Sequence, residues 1–359
     1  MNHLNRQQSA AERRRKIAAR IGIGILSIIV LSVVALFPPY RPIAPSGKYE
    51  VTTVRHTYID PNRIEGFNDN GEHRKVNVVF WFPENARDGE KFPLVVFSHG
   101  GLGTENSNES LYLELASHGY VVASIGHPYH TLWTKDEAGR TTLINGDYFK
   151  DIQRENAKKD KEQSLRLYGE WMKTRTEDIN FVIDTIVANA ADKDAGVSAL
   201  VDTGKIGVIG HSLGGSAMLA IPRQRNDVDA VIALESPFLY DIVGVDNNEF
   251  VWSDQPYLAP TLNIYSDSSW NHLSEWSQYA RNYEYLSSPP ENIHNLYLSG
   301  AGHFSLTDLS LASPLLTRLF EGGQANHDRE GYLRRVNLAC LEFFDRYLKN
   351  IDEATEGKR

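Results

Sequence analysis

Short apolar runs recur along the chain and alternate with stretches of helical spacing. Residues 75–82 (KVNVVFWF), 93–97 (PLVVF), 120–125 (YVVASI), 205–209 (KIGVI), 230–234 (AVIAL), 261–265 (TLNIY) and 295–298 (NLYL) form the series. Several of these runs are almost wholly apolar, as expected of strands buried on both faces. Segments of helical character fall between most of them. The alternation predicts an α/β fold with a mainly parallel central sheet covered by helices on both faces. No internal repeat is visible.

Three stretches stand outside this rhythm. Residues 21–37 (IGIGILSIIVLSVVALF) carry no charge and follow a basic cluster. A run of this length is at the short end of what spans a hydrocarbon core of ~30 Å. Pro38 and Pro39 end any helix there, because proline lacks the amide donor and clashes with the preceding turn. The reading is a transmembrane anchor, or an uncleaved signal, over 21–37. The basic tail over 1–20 is then cytoplasmic and the remainder extracytoplasmic. Secretion after signal cleavage is the alternative, although no clear A-x-A site follows the run. Residues 38–48 (PPYRPIAPSGK) read as a proline-rich linker or stalk. Residues 128–165 are polar and charged before a long helix passing through Trp171 and Ile186. A connection of that length implies either a cap over the site or a solvated surface excursion.

Composition narrows the function classes. Hydrophobic residues at 41% and charged residues at 23% are ordinary for a chain with a real core. The formal net charge is −9. Six basic residues against Glu12 give 1–20 a net +5, which leaves −14 for the rest. That surplus of carboxylates argues against nucleic acid as a partner. Cys340 is the single cysteine, so the chain forms no internal disulfide and offers no cysteine-based zinc site. His127-Pro128-Tyr129-His130 has a metal-like look, but Pro128 and the lack of further ligands favour a structural loop. No metal or organic cofactor is expected, since neither HExxH nor an acidic calcium loop is present.

Gly210-His211-Ser212-Leu213-Gly214 matches G-x-S-x-G. A strand precedes it and a helix-forming stretch follows, which is the context the motif requires. The glycines permit the sharp turn that thrusts a serine hydroxyl out of a strand end. Ser212 is therefore the expected nucleophile. Its tetrahedral oxyanion needs preplaced donors. The Leu213 amide supplies one, and the glycine-rich loop Ser98-His99-Gly100-Gly101-Leu102-Gly103 the other, through Gly101 or alternatively Leu102. The base must be a histidine later in the chain. His303 follows the run 295–298 across a short Ser-Gly-Ala-Gly turn, which places it at the same sheet edge as Ser212. His294 precedes that run and belongs to the opposite edge. His272 lies in a polar stretch and could only line the site. For the acid, Glu235 ends the run 230–234 and Asp267 ends 261–265. Both lie at the correct edge, and the spacing does not choose between them.

Several blocks now resemble a known family: PLVVFSHG at 93–100, LASHGYVVA at 115–123, KIGVIGHSLGG at 205–215 and IAL followed by Glu235 at 232–235. They are similar to the plasma-type platelet-activating-factor acetylhydrolases (group VII phospholipases A2) and related bacterial esterases, within the α/β-hydrolase superfamily. The likeness spans roughly residues 90–310. It implies one α/β-hydrolase domain over 49–359 and an acid after the strand that follows the nucleophile helix, which lands on Glu235. Two positions depart from the family pattern. Gly101 stands where leucine is usual, and the acid is glutamate rather than aspartate. The implied activity is hydrolysis of a carboxylic ester through an acyl-enzyme, with short-chain or oxidised phospholipid esters as the substrate class. A serine peptidase or thioesterase with the same three residues is the alternative. A non-catalytic binding module of the same fold is a further one, and would be expected to lack the serine or the histidine.

Overall fold

The structure is a computed structural model that describes residues 16, 20–24, 26–28, 30–87, 89–321 and 328–351. Its centre is an eight-stranded sheet in the order β1-β2-β4-β3-β7-β8-β11-β12. The strands that match the apolar runs are β2 (His73–Pro83), β3 (Phe92–Ser98), β4 (Val121–Ile125), β7 (Val201–His211), β8 (Ala230–Leu234), β11 (Thr261–Ser266) and β12 (Ile293–Leu298). From β4 to β12 every pairing is parallel, whereas β2 pairs antiparallel with β4. β3, β4, β8 and β11 are buried at every position. Side chains alternate between the two faces, so one strand feeds two cores. Leu94 and Val96 of β3 join the core under helix Lys161–Asn189. Val95 and Phe97 join the opposite core, under helices Glu109–Ser117 and Arg329–Lys349.

The hydrophobic pattern did not disclose β1 (Val51–Ile64), which pairs antiparallel with β2 from Val51↔Pro83 to Asp60↔Arg74. It is an edge strand of mixed exposure, rich in Thr, Arg and His, so its apolar signal is diluted. Two small hairpins, β5 (Trp133–Lys135) with β6 (Thr141–Leu143) and β9 (Ile242–Asp246) with β10 (Glu249–Trp252), were also unmarked.

Residues 128–165 hold the β5–β6 hairpin, helix Gly146–Arg154 and the start of helix Lys161–Asn189. Helix Gly146–Arg154 packs against the glycine-rich loop. The Tyr148 hydroxyl donates to the Gly101 carbonyl at 3.0 Å. Residues 38–48 lack regular structure but dock on helix Glu109–Ser117. The Ile43 amide donates to Ser110 Oγ, the Ser46 amide to Glu114 and the Gly47 amide to Ser117 Oγ. Residues 20–24, 26–28 and 30–36 are helical and exposed for most of their length. Ile25 and Ile29 of the expected anchor, and most of the basic tail, lie outside the described residues. Among the described residues no helix is long and apolar enough to cross a membrane.

Candidate active site

The parallel strands bring their carboxyl ends to one edge, where β3, β7, β8, β11 and β12 each release a loop. Ser212 stands between β7 and helix Leu213–Ala220 at φ 53°, ψ −125°, a conformation that costs free energy for a residue with a Cβ. The turn is held from both sides. The Ser212 amide donates to the Leu234 carbonyl at 2.8 Å. A Cβ on Gly210 would lie 2.5 Å from the Gly214 carbonyl carbon, and one on Gly214 would collide with the Ser98 and His99 carbonyl oxygens. The motif glycines therefore let helix Leu213–Ala220 start directly against the end of β3. Ser212 itself is half-buried at the site edge.

Glu235 follows β8 at φ 56° and is 1% exposed at its side chain. A buried carboxylate needs partners, and the end of β11 and the turn after it supply them. The Ser266 amide and the Ser269 hydroxyl both donate to Glu235 Oε1, the latter at 2.9 Å. The other oxygen, Oε2, faces His303 Nδ1 at 3.5 Å. His303 opens a short helical turn after β12, with its side chain 28% exposed. Its amide donates to Ser268 Oγ at 3.0 Å, and its carbonyl accepts from His211 Nε2 at 3.0 Å. Burial holds His211 neutral, with its pKa pushed well below the usual histidine range.

Asp267 sits at the same edge but turns elsewhere. Its Oδ1 accepts from the Tyr297 hydroxyl at 2.6 Å and from the Gly300 amide at 3.1 Å. It braces the Ser-Gly-Ala-Gly turn that delivers His303, whereas Glu235 meets the imidazole. The stretch 266–269 thus supports the neighbouring acid and the histidine's backbone. His272 pairs with Glu275 at 3.0 Å and stacks on Trp276. His294 lies within β12, with Nε2 2.9 Å from the Tyr347 hydroxyl. Trp133, on the β5–β6 hairpin, is 48% exposed.

The glycine-rich loop meets Ser212. A Cβ on Gly100 would approach Ser212 Cβ to 3.5 Å and His211 Nδ1 to 3.0 Å. One on Gly101 would meet Ile152 Cδ1 at 3.1 Å and Leu213 Cδ2 at 3.8 Å. Ile152 therefore crowds the space into which a side chain at position 101 would project. Leu102 is 39% exposed, further out on the loop.

Beneath this loop lies a buried polar network that sequence reasoning missed. Ser98 Oγ is 2.9 Å from His127 Nε2, and His127 Nδ1 is 3.1 Å from Asp178 Oδ2. The order is that of a catalytic triad, but Ser98, His127 and Asp178 are all 0% exposed, so no substrate reaches the hydroxyl. Asp178 also receives Arg74 Nη2 at 2.7 Å and Arg63 Nη1 at 2.9 Å. Burial is the largest influence on His127 and pushes its pKa down to about 4. His127 and His130 are both buried here, and no group of three or more metal-ligating side chains is present among the described residues. One signal was available. Arg175 and Asp178 fall on the face of helix Lys161–Asn189 that also carries Leu167, Trp171, Ile179 and Val182, and a charge on a buried stripe demands a partner.

Another buried acid ties the histidine loop to the fold. Asp308 Oδ2 accepts from the Ser110 amide at 2.6 Å, while Oδ1 has no partner among the described residues. Burial pushes its pKa up to about 7. A carboxyl raised on folding contributes stability that is present below its ordinary value near 4 and is lost as pH rises through about 7. Asp308→Asn mimics the protonated form. It is expected to stay close to the parent near pH 4 and to melt several degrees higher at pH 8, as read by calorimetry at both values.

The family model described as platelet-activating factor acetylhydrolase, isoform II matches residues 76–358. A platelet-activating factor acetylhydrolase of Cavia porcellus is 25% identical over 77% of this chain and 63% of its own length. One of Canis lupus familiaris is 29% identical over 76% of this chain and 62% of its own. The chain thus spans somewhat less than two thirds of these relatives. A cutinase of Thermobifida fusca is 26% identical over 61% of this chain and 55% of its own length. Among solved structures, a ferulic acid esterase from Streptomyces cinnamoneus superposes with a TM-score of 0.65 at 20% identity, covering 88% of this chain and 95% of that one, which speaks for the fold. A match that takes in the whole run from β2 through the elbow, Glu235 and His303 places the chain in the platelet-activating factor acetylhydrolase isoform II family, with an α/β-hydrolase fold.

Proposed function

We propose that the protein is a serine hydrolase of carboxylic esters (EC 3.1.1), with Ser212 as nucleophile, His303 as general base and Glu235 as the acid. The observation that carries this reading is the approach of His303 Nδ1 to the buried Glu235 carboxylate beside a serine on a strained elbow. With Nδ1–H directed at Glu235, Nε2 is the nitrogen that takes the Ser212 proton. The 3.5 Å separation is at the long end for a hydrogen bond, a contact that is expected to tighten in the transition state as the imidazole gains charge. Ser212 Oγ attacks the acyl carbon, and the oxyanion is met by the amides of Leu213 and of Gly101 or Leu102. His303 protonates the departing alcohol, and then draws a proton from the water that releases the acid and frees Ser212. None of these steps calls on a cofactor.

The names of the relatives favour ester over amide substrates. Short-chain or oxidised phospholipid esters are the class we assign, and the apolar segment 21–37 supports a single-pass anchor that holds the site near lipid. Its described side chains Ile21, Ile23, Leu26, Ile28 and Leu31 are each more than half exposed. A panel of p-nitrophenyl esters, acyl thioesters and peptide anilides tests the reaction class. Short-chain esters should show the highest kcat/KM, by at least about 10²-fold over anilides. Preference for an anilide or a thioester would overturn the assignment.

A further inference from the structure

The buried Arg175 addresses the backbone that has to present the second oxyanion donor. It is 0% exposed, in helix Lys161–Asn189. Its Nη1 donates to the His99 carbonyl and, at 3.2 Å, to Ser98 Oγ. Its Nη2 donates to the Gly100 carbonyl at 3.2 Å and the His130 carbonyl at 2.9 Å, and lies 3.4 Å from the Tyr148 hydroxyl. Tyr148 in turn donates to the Gly101 carbonyl.

A peptide unit is planar and trans, so its N–H points away from its C=O. Fixing the Gly100 carbonyl on Arg175 therefore fixes the direction of the Gly101 amide. Fixing the Gly101 carbonyl on Tyr148 does the same for the Leu102 amide. Within the loop the Gly100 carbonyl also accepts from the Gly103 amide at 3.1 Å and lies 2.7 Å from His99 Nδ1. Arg175 and Tyr148 are thus the contacts that fix the Gly100 and Gly101 carbonyls to the rest of the fold, and without them a glycine-rich segment has more accessible backbone states. The planar guanidinium fork suits this task, because it reaches several acceptors at once where an ammonium presents a point charge.

We propose that Arg175, assisted by Tyr148, is a positioning residue that pre-orders the amides of Gly101 and Leu102 toward the oxyanion formed at Ser212. The inference rests on the serine-hydrolase reading above. Ser98, His127 and Asp178 complete the platform: Ser98 Oγ touches both Arg175 and His127, and Asp178 holds the far side of the His127 ring.

The test compares the parent, Arg175→Lys and Tyr148→Phe in the full chain, with rates normalised to serine sites titrated to completion by a fluorophosphonate. For Arg175→Lys, kcat per titrated site should fall about 10- to 100-fold with KM nearly unchanged, the scale expected when a transition-state contact is displaced. Inhibition by a trifluoromethyl ketone, whose adduct carries the oxyanion, should weaken by a similar factor. Tyr148→Phe removes one hydroxyl from a shape that is otherwise kept. It should show the same signature at about 3- to 10-fold, in line with the loss of a single hydrogen bond, and it decides the matter if the lysine variant does not fold. A purely structural role would lower the melting temperature and the titratable fraction, but leave kcat per site and ketone affinity at parent values; that result would overturn the proposal. Failure of the parent to label would instead remove the reading on which the proposal rests.

Discussion

Ser212→Ala is expected to lower kcat for a short-chain p-nitrophenyl ester by at least about 10⁴-fold while the protein keeps its fold. Losses of this size follow removal of a nucleophile whose partners act as a unit, since the oxyanion donors and binding alone supply only the residual rate. The elbow makes the substitution structurally mild. Ser212 owes its place to backbone bonds, with its amide on Leu234 and its carbonyl accepting from the Ser216 amide at 3.0 Å. Alanine preserves both. Steady-state kinetics with a circular-dichroism control reads the result. A fall of less than about tenfold with intact fold would place the chemistry elsewhere.

The second large effect separates the two carboxylates. Glu235→Gln is expected to cost on the order of 10³- to 10⁴-fold in kcat, because an amide opposite Nδ1 no longer stabilises the imidazolium or fixes the tautomer. Asp267→Asn is expected to cost less than about tenfold in kcat and to lower the melting temperature. Its carboxylate braces the turn at Tyr297 and Gly300 and does not touch the imidazole, and hydrogen bonds to a charged acceptor contribute about 1.5–3 kcal/mol each. Comparing kcat and melting temperature for the two variants distinguishes the roles. Collapse of turnover in Asp267→Asn alone would reverse the assignment.

The parts of this molecule legible in its sequence are those whose physics is local. Runs such as 93–97 and 230–234 are strands because nearly all their side chains are buried on both faces, and the sheet they form is mainly parallel, as expected. The elbow is legible because its glycines answer to collisions within a few residues and with the end of β3. The choice between Glu235 and Asp267 is different. Both end neighbouring parallel strands, β8 and β11, and which one meets His303 depends on how the turn after β12 is braced. No spacing rule encodes that. The network under the glycine-rich loop is tertiary in the same sense. Arg175 reaches carbonyls 45 to 76 positions away along the chain, and only its place on an apolar helical stripe hints at it. β1 escaped notice because an edge strand paired on one side tolerates Thr, Arg and His at positions an inner strand would fill with valine. The proline-rich residues 38–48 read as a stalk by composition, yet their backbone finds partners on helix Glu109–Ser117.

The central claim is that Ser212 is an activated nucleophile, and covalent trapping tests it most directly. The folded protein is incubated with an alkyl fluorophosphonate and its intact mass measured, with the modified peptide then sequenced and Ser212→Ala as the control. The expected result is one phosphonyl adduct per chain, on Ser212, absent in the alanine variant and strongly slowed in Glu235→Gln. A folded protein that takes up no adduct, or carries it on another residue with Ser212 untouched, would contradict the account.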